Sequence, residues 1–188
     1  MNRNLTATQN DYAVFLPATS GFYSTFIGKQ RYGNYVEPSR IPASFNAGVE
    51  GLNYLEPDKG LFYYKWCLYS AGHANLDTSV DDHGESIIRK RDKHTFMLGD
   101  SGGFQILKCQ WPADWKDPNC PRAMKKRKEV LNWMDTYMDY GMCLDIPSQS
   151  LTTYHIKDPE TGKSAHGIST IEEAITATHI NNEYFVKN

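Results

Sequence analysis

Two short runs hold the residues best suited to chemistry. The first is Gly99-Asp100-Ser101-Gly102-Gly103-Phe104-Gln105 and the second is Leu144-Asp145-Ile146-Pro147. Each aspartate closely follows an apolar string, Thr95-Phe96-Met97-Leu98 with Gly99 between in one case and Met142-Cys143-Leu144 in the other. Apolar strings of this kind are typical of buried parallel strands. In parallel βα folds the reacting groups gather at the carboxyl ends of the strands, where Asp100 and Asp145 both fall. Taken singly, a Gly-Gly pair is a tight turn, Phe104 a core residue and Asp145 a cap. With both aspartates at strand ends, the set favours an active site.

Gly-Asp-Ser-Gly-Gly also surrounds the nucleophilic serine of trypsin-like proteases, and Ser70-Ala71-Gly72-His73 loosely mimics their histidine segment. The architecture argues against that reading. Those enzymes carry histidine and serine on two separate β-barrels, whereas His73 and Ser101 here lie within one short stretch. Phe104 replaces the protease proline, and the flanking pattern is βα.

The elements that must position the two runs are legible in outline. Residues 12–16 form an apolar run ended by Pro17, a strand candidate, and residues up to about 60 have the composition of loops with small pieces of structure. Residues 61–72 are apolar enough to be buried, as strand or helix. A polar connection spans Asp77 to Lys93, and a Trp/Pro/Asp-rich loop covers 111–121. Between Arg122 and Tyr140, Leu131, Met134 and Met138 recur at helical spacing, Arg127 snorkels at the stripe's edge, and Gly141 is the natural stop. Residues 142–146 are a second buried strand. After a polar hairpin or loop, a last helix opens with Ser169 as N-cap and Glu172 three residues later. Strand, loop, helix in repetition implies a βα fold with a parallel sheet.

Composition bounds the rest. The 188 residues suit one domain, and 40% hydrophobic with 22% charged residues is ordinary for a globular chain. A net charge of −2 gives no global attraction to nucleic acid, so such a partner needs a local basic patch. The run Lys125-Lys126-Arg127-Lys128 is read as a solvated helix face. Cys67, Cys109, Cys120 and Cys143 form no C-x-x-C pair, which favours reduced thiols over a disulfide framework or zinc site. With no signal-like start and no apolar span of membrane length, a soluble, cytoplasmic protein is expected (host cytoplasm if viral).

Phe96 to Ile106, with Gly141-Met142-Cys143-Leu144-Asp145-Ile146-Pro147 one βα unit later, resembles the tRNA-guanine transglycosylase family. The likeness is closest to the bacteriophage branch that places 7-deazaguanines in DNA, where a helix like Met124–Met134 also leads to a Met-x-Leu-Asp-Ile-Pro strand end. It covers residues 94–150 well and the remainder weakly. The resemblance implies the N-terminal portion of a (β/α)₈ TIM-type barrel across 1–188. The implied activity is exchange of guanine in a nucleic acid for a 7-deazaguanine by double displacement at the glycosidic bond, a reaction needing two carboxylates. On that pattern Asp100 is the general acid/base. Ser101, Gly102 and Gly103 shape the loop, the glycines letting backbone approach the base. Phe104 stacks on the purine, Gln105 bonds its carbonyl edge, and Asp145 accepts from N1–H and the exocyclic amine. Ile146-Pro147 stands where the tRNA enzymes have Glu-Cys, which favours DNA over tRNA as the partner. The family's nucleophilic aspartate and its Cys/His zinc site, both later in the barrel, have no counterpart, so no cofactor is expected within this chain and a second polypeptide completing the barrel is a candidate partner. The rival class is a non-catalytic half-barrel that binds nucleic acid or a partner chain.

Overall fold

A computed structural model describes residues 13–33 and 36–188. The centre is a three-stranded parallel sheet in sequence order: β1 (Trp66–Ser70), β2 (Phe96–Asp100) and β3 (Tyr140–Gly141). β1 and β2 pair from Trp66↔Phe96 to Ser70↔Asp100, and β2 pairs with β3 at Leu98↔Tyr140 and Gly99↔Gly141. The expected strand at 12–16 is displaced. Tyr12 lies outside the described residues, 13–17 are irregular, and the pairing comes later, where Ala18 bridges Leu68 in parallel. Pro17 O accepts from Leu68 N and Thr19 N donates to Leu68 O, so proline contributes only the carbonyl it has to offer.

The connecting elements lie against one face of the sheet. Helix α1 (Gly21–Gln30) falls in the stretch expected to be mostly loop. Its glycines and aromatics give little helical signal, but Ser20 caps it by accepting from Tyr23 N. The polar connection before β2 contains a 3-10 turn (His83–Glu85) and a single helical turn, α2 (Ser86–Arg89), which buries Ile87 and Ile88. These pack with Ile27, Cys67, Tyr69, Met97, Val130 and Trp133 into the first core cluster. Short α3 (Gly103–Leu107) follows β2, and α4 (Pro121–Tyr137) and α5 (Ile171–Lys187) complete the helices. A second cluster joins Ile106, Trp115, Ala123, Leu144, Ile146, Ile168 and Ala177.

Three boundaries differ from the sequence expectation for identifiable reasons. α4 ends at Tyr137, where Met138 turns extended (φ −104°, ψ 151°), and Gly141 serves in β3 instead of stopping the helix. A Cβ at Gly141 would lie 2.7 Å from Met134 Sδ, so glycine there lets the strand sit on the helix. The strand expected at 142–146 is instead Tyr140–Gly141, and both of its residues are exposed. Met142 N still donates to Gly99 O, and beyond it Leu144 and Ile146 are buried while Cys143 and Asp145 are exposed, an extended alternation without ladder partners. At α5 the N-cap is Thr170, which accepts from Glu173 N, while Glu173 reaches back to Ser169 N and Oγ. The capping box exists one residue later than Ser169/Glu172 suggests. Arg127 does not snorkel. It is buried, donating to Asn181 Oδ1 (2.6 Å) and Trp115 O (3.0 Å), and burial pulls its pKa below the usual guanidinium value.

The other face of the sheet is less covered. Trp66, Leu68, Phe96 and Leu98 are half-buried, Tyr140 is exposed, and the rings of Trp66, Phe96 and Tyr140 form a row with centroids 4.8 and 5.3 Å apart. Asp100 belongs to this face, two residues beyond Leu98 on β2. No helix of the described residues is long and apolar enough to cross a membrane. All four cysteines are free.

Candidate active site

The parallel register brings Ser70 and Asp100 side by side at the carboxyl ends of β1 and β2. The chain turns sharply after each strand. Ala71 N donates to Asp100 O (2.8 Å), and Gly72 N donates to Ser70 Oγ (3.1 Å). Asp100 itself is half-buried. Ser101 is buried, and its Oγ lies 3.4 Å from Asp145 Oδ1. Gly102 then takes φ +81°, the left-handed region in which a Cβ is strained. A Cβ there would also come within 2.6 Å of the Trp111 ring and 3.0 Å of Gly72 N.

Gly103 opens α3 and is pressed against the segment that follows β3. A Cβ at Gly103 would stand 2.7 Å from Asp145 O and 2.8 Å from its Oδ1. The two glycines are therefore required first by the protein's own packing, against Trp111 and Gly72 on one side and Asp145 on the other. Two fixed points hold the 144–146 segment: Asn181 Nδ2 donates to Leu144 O (2.8 Å), and Ile146 N donates to Thr178 Oγ1 (2.9 Å), both from α5. Asp145 projects from between them and is exposed.

Phe104 and Gln105 part ways on the first turn of α3. Phe104 is 57% exposed, with Lys108 Nζ 5.2 Å from its ring centroid, so it is no core residue and its ring is open to a flat partner. Gln105 is 7% exposed and packs its amide onto Gly72, where a Cβ would fall 1.9 Å from Oε1. Gln105 Oε1 has no hydrogen-bond partner among the described residues. A buried amide oxygen left without a partner calls for a reason, and a ligand is one.

Thus Ser101, Gly103 and Asp145 are in direct proximity, Asp100 precedes them on the strand, and Gln105 lies beneath Gly72. Gly72 and Trp111 are members of this constellation that the sequence reading did not select. Gly72 had a signal, since it follows β1 as Gly102 follows β2; Trp111, in a loop, had none. No group of three or more His, Cys, Asp or Glu side chains converges as for a metal ion among the described residues. Comparison of the chain with protein-family models, curated proteins and solved structures finds no match.

Proposed function

We propose that this chain carries the base-recognition half of a guanine transglycosylase-type site and acts on a nucleic acid, DNA more than tRNA. The observation that carries the reading is that the two sequence runs meet: Ser101 and Gly103 from the turn after β2 touch Asp145 from the turn after β3. A ligand between Asp100 and Asp145 would have the open Phe104 ring for stacking and the unpartnered Gln105 amide oxygen within the same turn. Asp100 would move the proton at the departing base, and Asp145 would face N1–H and the exocyclic amine. Neighbouring parallel strands in sequence order are compatible with the start of a (β/α)₈ barrel. The nucleophilic carboxylate then comes from another polypeptide or a longer form of this chain.

The test is binding of free guanine and 7-deazaguanine to the purified chain by saturation-transfer NMR, followed by exchange of radiolabelled guanine into DNA and tRNA. Base binding that disappears in a folded Asp145→Asn variant is expected, with no useful exchange by the isolated chain. Absence of base binding refutes the reading, and robust exchange refutes the missing nucleophile. A second reading, a non-catalytic module that pairs with another chain, is favoured by the Trp66–Phe96–Tyr140 row, only partly covered by the described residues, and by the short strand β3 at the sheet's edge among them.

A further inference from the structure

A cleft of about 720 Å³ adjoins the candidate site, within the roughly 300–1,000 Å³ typical of ligand-sized clefts. One wall is the segment Ala71–Ser79, and the other is the exposed side of α4 with Lys125, Lys126 and Lys128; Trp111 also lines it. Gly72 belongs both to this cleft and to the packing around Gln105 and Gly102, so cleft and site are continuous.

The first wall is held from behind. Arg89 and Glu85 are buried together, with Nε 2.8 Å from Oε2. Arg89 donates to Asn75 O (2.6 Å) and Val80 O (2.7 Å), and Glu85 Oε1 accepts from Asn75 N (2.7 Å). Across the cleft, Asn132 Nδ2 donates to Thr78 Oγ1 (2.8 Å), tying the wall to α4. The opening therefore exists before any ligand arrives.

Its cations gather on one wall: Lys125, Lys126 and Lys128 stand with Glu129 on α4, and Asp77 is the carboxylate of the opposite wall. Glu129 takes Lys126 at 2.5 Å and lies 3.8 Å from Lys125, while Asp77, which accepts from the neutral Ser79 hydroxyl, keeps its charge. Lys128 has no acidic partner among the described residues, and Lys125 is exposed with only that distant contact. Lys126 also stands 5.0 Å from the centroid of the Trp111 ring. Lysines along one wall, hydroxyl and amide groups with the single Asp77 carboxylate along the other and an indole at the site end are the parts of a single-strand groove, in which phosphates keep to the cationic wall and bases meet an aromatic face. Arg127, the run's fourth basic residue, is buried elsewhere and takes no part.

We propose that this cleft binds the single-stranded polynucleotide flanking the target nucleotide, with Lys125 and Lys128 on its phosphates. The proposal rests on the nucleic-acid reading above but is tested separately from it. Short fluorescein-labelled single-stranded DNA and RNA of one sequence are titrated with the chain by anisotropy over a series of salt concentrations. The Lys125→Ala/Lys128→Ala double variant should bind more weakly, and its log–log salt slope should be shallower by about 1.4, two phosphate contacts' worth for a single strand. Lys128→Glu should weaken binding further. Lys93→Ala, ahead of the opposite end of β2, should match the wild type. Circular dichroism checks that each variant folds. Binding and slope unchanged in the double variant, or no oligonucleotide binding at all, overturn the cleft. Free-base binding in the same variants reports on the catalytic reading: base bound without oligonucleotide sinks only the cleft, and lysine-dependent oligonucleotide binding without base sinks only the transglycosylase site.

Discussion

Gly103→Ala tests whether the turn after β2 and the segment carrying Asp145 are fitted to each other. The added Cβ would stand 2.7 Å from Asp145 O and 2.8 Å from Oδ1, closer than such atoms approach in real proteins. The carboxylate can rotate aside, but the backbone carbonyl cannot. Leu144 and Ile146 are buried on either side of it, and α5 holds both through Asn181 and Thr178. Forcing a methyl into such packing costs about 1–3 kcal/mol. Gly103 begins α3 without a positive φ, so alanine recovers about 0.5–1 kcal/mol of backbone entropy. The net loss is centred on about 1.3 kcal/mol, within a span of about 0–2.5 kcal/mol. With a urea slope of about 2 kcal/mol/M, the midpoint falls by roughly 0.6 M, and by no more than about 1.3 M. Gly33→Ala, with nothing within 4 Å of its Cβ, is the control and should stay within about 0.5 kcal/mol of wild type. Equilibrium urea unfolding by fluorescence measures both. A Gly103→Ala protein as stable as wild type or more so would show that the Asp145 segment yields freely and that the fit means nothing.

Two predictions concern acid. His166 is fully buried, its Nδ1 accepts from Ile168 N (3.1 Å), and burial holds its pKa below the ordinary imidazole value. Because the unfolded chain takes up that proton more readily, stability should be intact above pH ~6.5 and fall as pH drops below it, levelling off once the folded-state pKa is passed; an NMR titration placing His166 at or above the ordinary value refutes this. Glu173, bonded by Lys116 and Ser169, has its carboxyl lowered to about 2, so the stability it contributes is present above its unfolded value and lost as pH falls toward 2. The gap in thermal midpoint between wild type and Glu173→Gln should close over that interval, and a constant gap down to pH 2 contradicts it.

What could be read from the sequence followed from how local each signal is. The strand at Phe96–Asp100 and the helix at Pro121–Tyr137 declare themselves through an apolar run and a 3.6-residue stripe. Helix α1 was hidden because its residues are poor helix formers. It is held by tertiary contacts such as Ser24 Oγ to Gly84 O, and by Gly28, whose missing Cβ lets the helix approach His83 O. Arg127 misled for a similar reason. Nothing local announces that Asn181, far along the chain, turns inward to receive its guanidinium. The Asp100–Gln105 turn was visible because its residue types are unusual together. Its relation to Gly72, Trp111 and the lysine-lined cleft depends on how separate loops pack, which no single window contains.

If Asp145 reads a base as proposed, its exposure sets a limit on how well this chain alone can choose one. Strong rejection, roughly 10⁴-fold, arises when the wrong ligand leaves a buried polar group unpaired. Asp145 faces solvent, so with adenine in place of guanine water can satisfy its lone pairs, and only the net value of hydrogen bonds made in water is lost. At about 0.5–1 kcal/mol for each of two bonds, the preference for guanine is on the order of tenfold. The same geometry, once covered by a polynucleotide or a second polypeptide, removes that water and should raise the preference by orders of magnitude. Competition between guanine and adenine in saturation-transfer NMR, with and without single-stranded DNA, measures both regimes. A preference above about 10³ in the isolated chain would contradict this account. It would move base reading from Asp145 to a buried group, and Gln105, whose amide oxygen is buried without a partner, is the one to substitute next.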